Sequence, residues 1–80
     1  MAIYCKKNLT QLIITYDLIS CYCNDNFLTE LLLPDNLKRI YCHRNKITEL
    51  YLNNNLIDLA CDTFVELKNI NNKNLTIMFF

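Results

Sequence analysis

The sequence contains no glycine, no tryptophan and a single proline among its 80 residues. Because glycine is the residue that most readily takes a positive φ, tight turns in this chain must use asparagine or aspartate instead. The chain also has no excess charge, since eight lysines and arginines balance eight aspartates and glutamates. Nonspecific binding to nucleic acid or to an anionic membrane normally needs a basic excess. The composition therefore argues against nucleic-acid and membrane partners.

Long apolar runs are also missing, and we expect no secretory leader. No apolar stretch approaches the roughly 20 residues that a membrane helix needs. The first apolar stretch is interrupted by Lys6 and Lys7, whereas a signal peptide carries its positive charges ahead of the apolar region. Five cysteines are an odd number, and without a secretory signal they favour free thiols. These features predict an intracellular, cytoplasmic protein.

What the sequence does have is a repeat. Four of its cysteines recur at intervals of 18, 19 and 19 residues, namely Cys5, Cys23, Cys42 and Cys61. Aligned on these cysteines, residues 40–50 match residues 21–31 position for position, and residues 3–12 match with one residue deleted after Asn8. A disulfide framework has no reason to be periodic, whereas stacked coils of a solenoid require it. The sequence therefore predicts a solenoid.

The repeating unit resembles the leucine-rich repeat, whose core has the form L-x-L-x-x-N-x-L, with cysteine allowed at the second leucine. The short period and the Leu-Pro-Asp-Asn-Leu string at 33–37 are similar to the compact repeats of bacterial effectors and giant DNA virus proteins. The repeat's asparagine position is filled by Asn8, Asn26 and Asn45. In the fourth unit Phe64 stands there instead, and that unit aligns as though it gained a residue before Leu67.

The predicted architecture is a single leucine-rich-repeat domain over residues 1–80, with about four repeats. Strands are expected near 2–6, 20–24, 39–43 and 58–62, with a further one at 77–80, stacked as a short parallel sheet on the concave face. Nineteen residues per coil leave no room for a full helix, so the convex face should be extended or 3₁₀, with little or no α-helix. Neither end shows a polar cap, which makes a homo-oligomer joined through uncapped ends an alternative state.

The resemblance also implies an internal structural ladder. In leucine-rich repeats the asparagine side chain turns inward and hydrogen-bonds the backbone of neighbouring coils, which satisfies groups that would otherwise be buried without a partner. The cysteines that alternate with it fill the core as small apolar side chains. The predicted ladder consists of Cys5, Cys23, Cys42, Cys61, Asn8, Asn26 and Asn45.

Alternation along each strand predicts which side chains face solvent. Ile40 and Cys42 should point inward, while Arg39, Tyr41 and His43 point outward. Tyrosine, arginine and histidine on an open surface are typical of protein-binding faces. The predicted partner-binding residues on the concave face are Tyr4, Lys6, Tyr22, Asn24, Arg39, Tyr41, His43, Asp58 and Asp62. The alternative is that the tyrosines only form cross-strand ladders, and Ala60 interrupts their row.

No residue pattern predicts chemistry. Cys21 and Cys23 should point inward and His43 outward, and no spaced pair of C-x-x-C motifs is present, so we expect no metal ion. His43 is the only histidine and the carboxylates are scattered, so we expect neither an enzyme nor a cofactor. The predicted function is a protein–protein interaction module, in host cytoplasm if the origin is viral. The alternative is a structural or self-associating fragment of a longer array.

Overall fold

Short stretches of alternating buried and outward-facing residues, repeated about once per coil, form the strands of this protein. A computed structural model describes all of residues 1–80 as a solenoid of about four turns without any helix. Its seven strands are β1 (Ala2–Tyr4), β2 (Ser20–Tyr22), β3 (Arg39–Tyr41), β4 (Glu49–Tyr51), β5 (Asp58–Cys61), β6 (Glu66–Lys68) and β7 (Thr76–Phe79). The expectation of stacked strands without α-helix is confirmed. The structure also has no helix that is long and apolar enough to cross a membrane.

Five of these strands form one parallel sheet in the order β1-β2-β3-β5-β7. Each strand pairs with the one that lies a single coil further along the chain, for example Ile3 with Cys21, Cys21 with Ile40, and Ile40 with Leu59. This constant register brings equivalent positions of successive repeats side by side. The strands have three or four residues each.

The core lies between this sheet and the segments that return the chain to the next strand. The strands of the sheet and the residues directly after them contribute Cys21, Cys23, Ile40, Cys42, Leu59 and Cys61. The returning segments contribute Leu28, Leu37, Ile47, Leu50 and Leu56, and all of these residues are fully or almost fully buried. In the first coil the inward positions are less covered, since Ile3 is exposed and Cys5 is half-buried. Each of these two residues has a neighbouring coil on one side only.

Two of the returning segments form a second, smaller sheet, because β4 pairs with β6 in parallel. The returning segments thus contain two strands and extended chain, and no 3₁₀-helix. Leu67 pairs with Leu50, although it lies six residues after Cys61 and Leu50 lies eight after Cys42. The fourth coil is therefore shorter here, and the apparent insertion before Leu67 was wrong. A tight turn in which the Val65 N–H donates to the Asp62 carbonyl accounts for the shortening.

The turns show how the chain manages without glycine. Four residues have positive φ: Asn8 (71°), Asp25 (62°), Arg44 (58°) and Asn69 (69°). Asparagine and aspartate tolerate this region, as the composition predicted, but arginine does so less readily. At Arg44 the conformation is supported by its backbone N–H, which donates to Asp62 Oδ1 at 2.8 Å.

Candidate functional site

The outward face of the five-stranded sheet carries a tyrosine row formed by Tyr4, Tyr22 and Tyr41. The register places these residues side by side on β1, β2 and β3. The rings of Tyr4 and Tyr22 stack with centroids 4.7 Å apart, and those of Tyr22 and Tyr41 meet edge to face at 5.0 Å. Both arrangements are favourable for aromatic pairs. Tyr4 is 76% exposed, whereas Tyr22 and Tyr41 are half-buried.

The next position of the row is Ala60, which is fully buried. Beyond it lies Met78, which is exposed. The tyrosine row therefore spans only three neighbouring strands, and its most exposed member is Tyr4 at one end.

His43 lies beside this row but is only 7% exposed, not open to solvent as strand alternation predicted. It follows β3 in the turn, where its ring stacks on that of Phe80 with the two centroids 3.9 Å apart. The ring of Tyr41 is tilted, with its centroid 6.4 Å from that of His43. Its Nδ1 atom is buried without a hydrogen-bond partner. Burial, and secondarily the Arg44 guanidinium, hold the pKa of His43 below its ordinary value, against the opposite effect of Asp25 and Asp62.

Asp62 is also buried rather than open to a partner. Its two carboxylate oxygens accept hydrogen bonds from the backbone N–H groups of Arg44 (2.8 Å) and Asn45 (3.2 Å) in the preceding coil. A carboxylate that accepts two backbone donors stabilises the turn it touches. The residue predicted to bind a partner thus joins the third and fourth coils.

Arg39 and Asp58 face each other on β3 and β5. Arg39 Nε donates to Asp58 Oδ2 at 2.9 Å, and both side chains remain partly exposed. Because solvent screens such a pair, it contributes about 0–1 kcal/mol to stability. Each side chain can still present its remaining polar atoms to a partner.

Lys6 and Asn24 follow β1 and β2 on the same side of the turns. Lys6 is exposed and makes no ion pair. Asn24 is half-buried, and its Nδ2 donates to Asp25 Oδ2 at 2.7 Å. That hydrogen bond, followed by the charges of Arg44 and Lys7, lowers the pKa of the Asp25 carboxyl. Among the nine predicted residues, the accessible ones therefore centre on Tyr4 and Lys6.

The predicted asparagine ladder is present in the second and third coils. Asn26 Oδ1 accepts from the Leu9 N–H at 2.8 Å, and Asn45 Oδ1 accepts from the Leu28 N–H at 2.9 Å. Asn45 Nδ2 donates to the carbonyls of Cys23 and Cys42, both at 3.0 Å. Asn8 does not join the ladder, since its side chain is exposed and forms no hydrogen bond.

Sequence reasoning missed a second asparagine ladder on the returning segments. Asn53 Nδ2 donates to the carbonyls of Pro34 (2.6 Å) and Leu37 (3.0 Å), one coil earlier. Asn72 donates to Leu56, Asn69 to Leu52, Asn55 to Asp35 and Asn36 to Tyr16 in the same way. The 19-residue spacing of Asn36 with Asn55, and of Asn53 with Asn72, was the available signal.

All five cysteines are free thiols, and four of them are buried. Burial, followed by the neighbouring Cys21, raises the pKa of Cys5 to about 11, and burial raises that of Cys61 to about 11. The hydrogen bond with Cys23 and burial raise the pKa of Cys21, and burial raises that of Cys42. With raised pKa values, the thiols of Cys5, Cys21, Cys42 and Cys61 are protonated near neutral pH, so they are weak nucleophiles and pack as apolar groups. No cluster of three or more His, Cys, Asp or Glu side chains could hold a metal ion.

Comparison with protein-family models, with curated proteins and with solved structures gives no match to this chain. The surface of the chain is therefore the guide to its function. Its most distinctive feature is the tyrosine row, which combines a regular aromatic arrangement with one widely open end.

Proposed function

We propose that this chain is a protein–protein interaction module of the leucine-rich-repeat kind and not an enzyme. Its binding surface is the concave face of the five-stranded sheet, centred on the tyrosine row. The observation that carries the proposal is the alignment of Tyr4, Tyr22 and Tyr41 on three successive strands, with centroid separations of 4.7 and 5.0 Å.

Aligned tyrosines are suited to recognition because each ring offers a large, rigid contact area together with a polar hydroxyl. The rings already pack against each other, so little side-chain entropy is lost when a partner covers them. The resemblance to leucine-rich repeats supports this choice of face, and the free thiols support an intracellular setting.

Charge favours an acidic contact region on the partner. Lys6 and Lys7 are both exposed next to the open end of the row. Arg39 is already paired with Asp58, so the lysines are the cations available to a ligand. An acidic region opposite them would increase the association rate and orient the partner, and salt would weaken this effect.

The test is a quantitative affinity capture from cell lysate with the native chain and with variants of the row. Tyr4→Ser removes the most exposed ring, and a Tyr22→Ser, Tyr41→Ser double variant removes the other two. Tyr51→Ser is the matched control, since Tyr51 is an exposed strand tyrosine on β4, away from this face. Circular dichroism must show that each variant is folded.

A partner that the row variants lose and the Tyr51→Ser variant keeps would support the proposal. Its affinity, measured with the purified partner, should then fall on adding salt. If the row variants and the control retain the same partners, the tyrosines only stabilise the sheet and the proposed binding face is wrong.

The second candidate function is self-association, and the strands at the two edges of the sheet favour it. Strands β1 and β7 each have one neighbour, and all three residues of β1 are exposed. Extending the observed register would place Ile77 of one copy against Ile3 of the next, in a parallel pair. Open strand edges with apolar side chains are templates for such pairing.

Sedimentation velocity over a concentration series tests this second candidate. Oligomers that disperse in Ile3→Glu, but persist in the control Ile70→Glu on the exposed chain after β6, would support it. A monomer at every concentration would exclude it.

A further inference from the structure

A groove of about 710 Å³ runs between the returning segments of the first and second coils. Residues from 10–16 line one side and residues from 27–35 line the other. Its volume is within the range of about 300–1,000 Å³ that is typical of ligand sites. The tyrosine row is not part of its lining.

Two backbone segments that line the groove have no hydrogen-bond partners. None of the backbone N–H or carbonyl groups of residues 10–14 and 29–33 takes part in a hydrogen bond within the chain. One repeat further along, the equivalent segment Glu49–Tyr51 is strand β4, paired with β6. The two segments of the groove therefore occupy positions at which this fold forms strands, but they are unpaired.

The groove also exposes large apolar side chains. Ile13 is 89% and Leu32 84% exposed, and Tyr16 and Phe27 are exposed beside them. A group of aliphatic and aromatic side chains around one concavity is typical of an interaction site, whereas isolated exposed apolar residues are common.

The charge of the groove identifies the chemistry of its occupant. Glu30 and Asp35 line it, no lysine or arginine does, and neither carboxylate forms an ion pair. A cationic ligand is therefore favoured over an anionic one.

We propose that this groove binds an extended, strand-forming segment of a partner protein in which basic and apolar side chains alternate. The segment pairs its backbone with residues 10–14 or 29–33, which supplies the hydrogen bonds that these residues lack. Its apolar side chains point inward onto the half-buried Leu12, Ile14 and Leu33, which also line the groove. Its basic side chains point outward towards Glu30, with their alkyl stems against Ile13 and Leu32. This site is separate from the tyrosine row and does not depend on the function proposed for it.

Fluorescence polarisation with synthetic peptides of about six residues, the usual length of a strand, tests the proposal. The probe is a labelled, end-blocked peptide of alternating lysine and valine, compared with its glutamate–valine counterpart. We expect the lysine peptide to bind and the glutamate peptide not to. A lysine–valine peptide with N-methylated backbone amides should bind at least about tenfold more weakly, because it has lost its backbone donors.

Variants of the protein locate the binding. Leu32→Ser should lower the affinity for the lysine peptide at least about tenfold. Glu30→Lys should reverse the preference, so that the glutamate peptide binds more tightly than the lysine peptide. The matched controls are Tyr51→Ser and Glu49→Lys, which change the equivalent positions one repeat later on the paired strand β4. These controls should bind like the native chain. Because Leu32 and Glu30 are both exposed, the fold should tolerate either change.

Amide hydrogen exchange provides an independent measurement, since peptide binding should protect residues within 10–14 or 29–33. The proposal is overturned if the lysine peptide does not bind, if the control variants lose as much affinity as the groove variants, or if N-methylation has no effect. It is also overturned if the free protein forms oligomers that Leu32→Ser alone disperses, since a second copy would then be the occupant.

Discussion

The first coil, residues 1–19, and the middle coils, residues 20–57, have closely similar repeat sequences and very different environments. In the middle coils Leu28, Ile40 and Leu50 are fully buried. In the first coil every residue of β1 is exposed, and Leu9, Leu12 and Ile14 are only half-buried. A repeat has the same pattern wherever it stands, but its burial comes from the coils on either side of it.

The same contrast holds for the asparagines. Asn45 bonds backbone groups in its own coil and in the coil before it, whereas Asn8 is exposed with no hydrogen bond from its side chain. One residue type at one repeat position thus stabilises the fold in one coil and contributes little in another. The following predictions test this difference, beginning with the largest expected effect.

Truncation of a core leucine should show the contrast most strongly. Leu50→Ala removes a fully buried side chain and should lower the free energy of unfolding by about 3–5 kcal/mol. Leu12→Ala, in the half-covered first coil, should cost less than half of that, because Leu12 is only partly buried against the core. Urea denaturation of the two variants measures the difference. Equal losses would mean that the first coil is as well packed as the middle ones.

Removing the ladder amides should have the next largest effect. Asn45→Ala leaves the Leu28 N–H and the Cys23 and Cys42 carbonyls without this partner, at a cost of about 3 kcal/mol. Asn8→Ala should change stability by no more than about 0.5 kcal/mol. Denaturation midpoints of the two variants provide the comparison. A cost at Asn8 similar to that at Asn45 would contradict the proposed reason for the ladder.

Asp62 extends the comparison to the fourth coil, where Phe64 stands at the ladder position and the Asp62 carboxylate, two residues earlier, bonds the preceding coil instead. Asp62→Ala removes the acceptor for the N–H groups of Arg44 and Asn45 and should cost about 2 kcal/mol. Asp62→Asn keeps one acceptor oxygen and should recover part of this loss. The thermal unfolding midpoints of the two variants separate the role of the acceptor from that of the charge. If Asp62→Asn recovers no stability, the negative charge itself is needed.

The smallest effect should be the pH dependence that comes from His43. Its pKa in the folded state lies below the value of 6.5 expected for the unfolded chain, chiefly because of burial. The unfolded state therefore takes up the proton first, and stability should fall as the pH decreases below 6.5. The decrease should stop once the pH is below the folded pKa, since both states are then protonated.

Urea denaturation at a series of pH values measures this dependence, with His43→Gln as the control. The variant should lose the decrease just below pH 6.5 and keep the acid unfolding that carboxylates cause at lower pH. An unchanged profile in His43→Gln would assign the decrease to other groups.

Much of the fold could be predicted from two features of the sequence, the period of the repeat and the alternation of apolar residues along each strand. Both features are set by which side chains are buried. The inward cysteines and the parallel stacking follow from residues such as Cys23 and Cys42, whose spacing equals one coil. The second sheet was not predicted, since Glu49–Tyr51 and Glu66–Lys68 are 17 residues apart and lie outside the main repeat register. A local change in coil length shifts that register without leaving a clear mark in the sequence.

The candidate site could be predicted less well, because exposure depends on contacts between distant residues. Strand alternation placed Tyr4, Tyr22 and Tyr41 on one face, where they do lie together. It could not reveal that Phe80 covers His43, since alternation says nothing about packing between segments 37 residues apart. The groove could not be predicted either, because it forms where two segments fail to pair. The sequence pattern of those segments is the same as that of segments which do pair.

The uniform register of the five-stranded sheet has a consequence for how the chain folds. Every strand pair in this sheet joins residues 18 or 19 apart, for example Ala2 with Ser20 and Ser20 with Arg39. The entropy lost on closing a loop depends on its length, so each coil presents nearly the same barrier to closure. Folding can therefore begin among the well-covered middle coils and proceed outward one coil at a time, with the first coil ordering late and opening early.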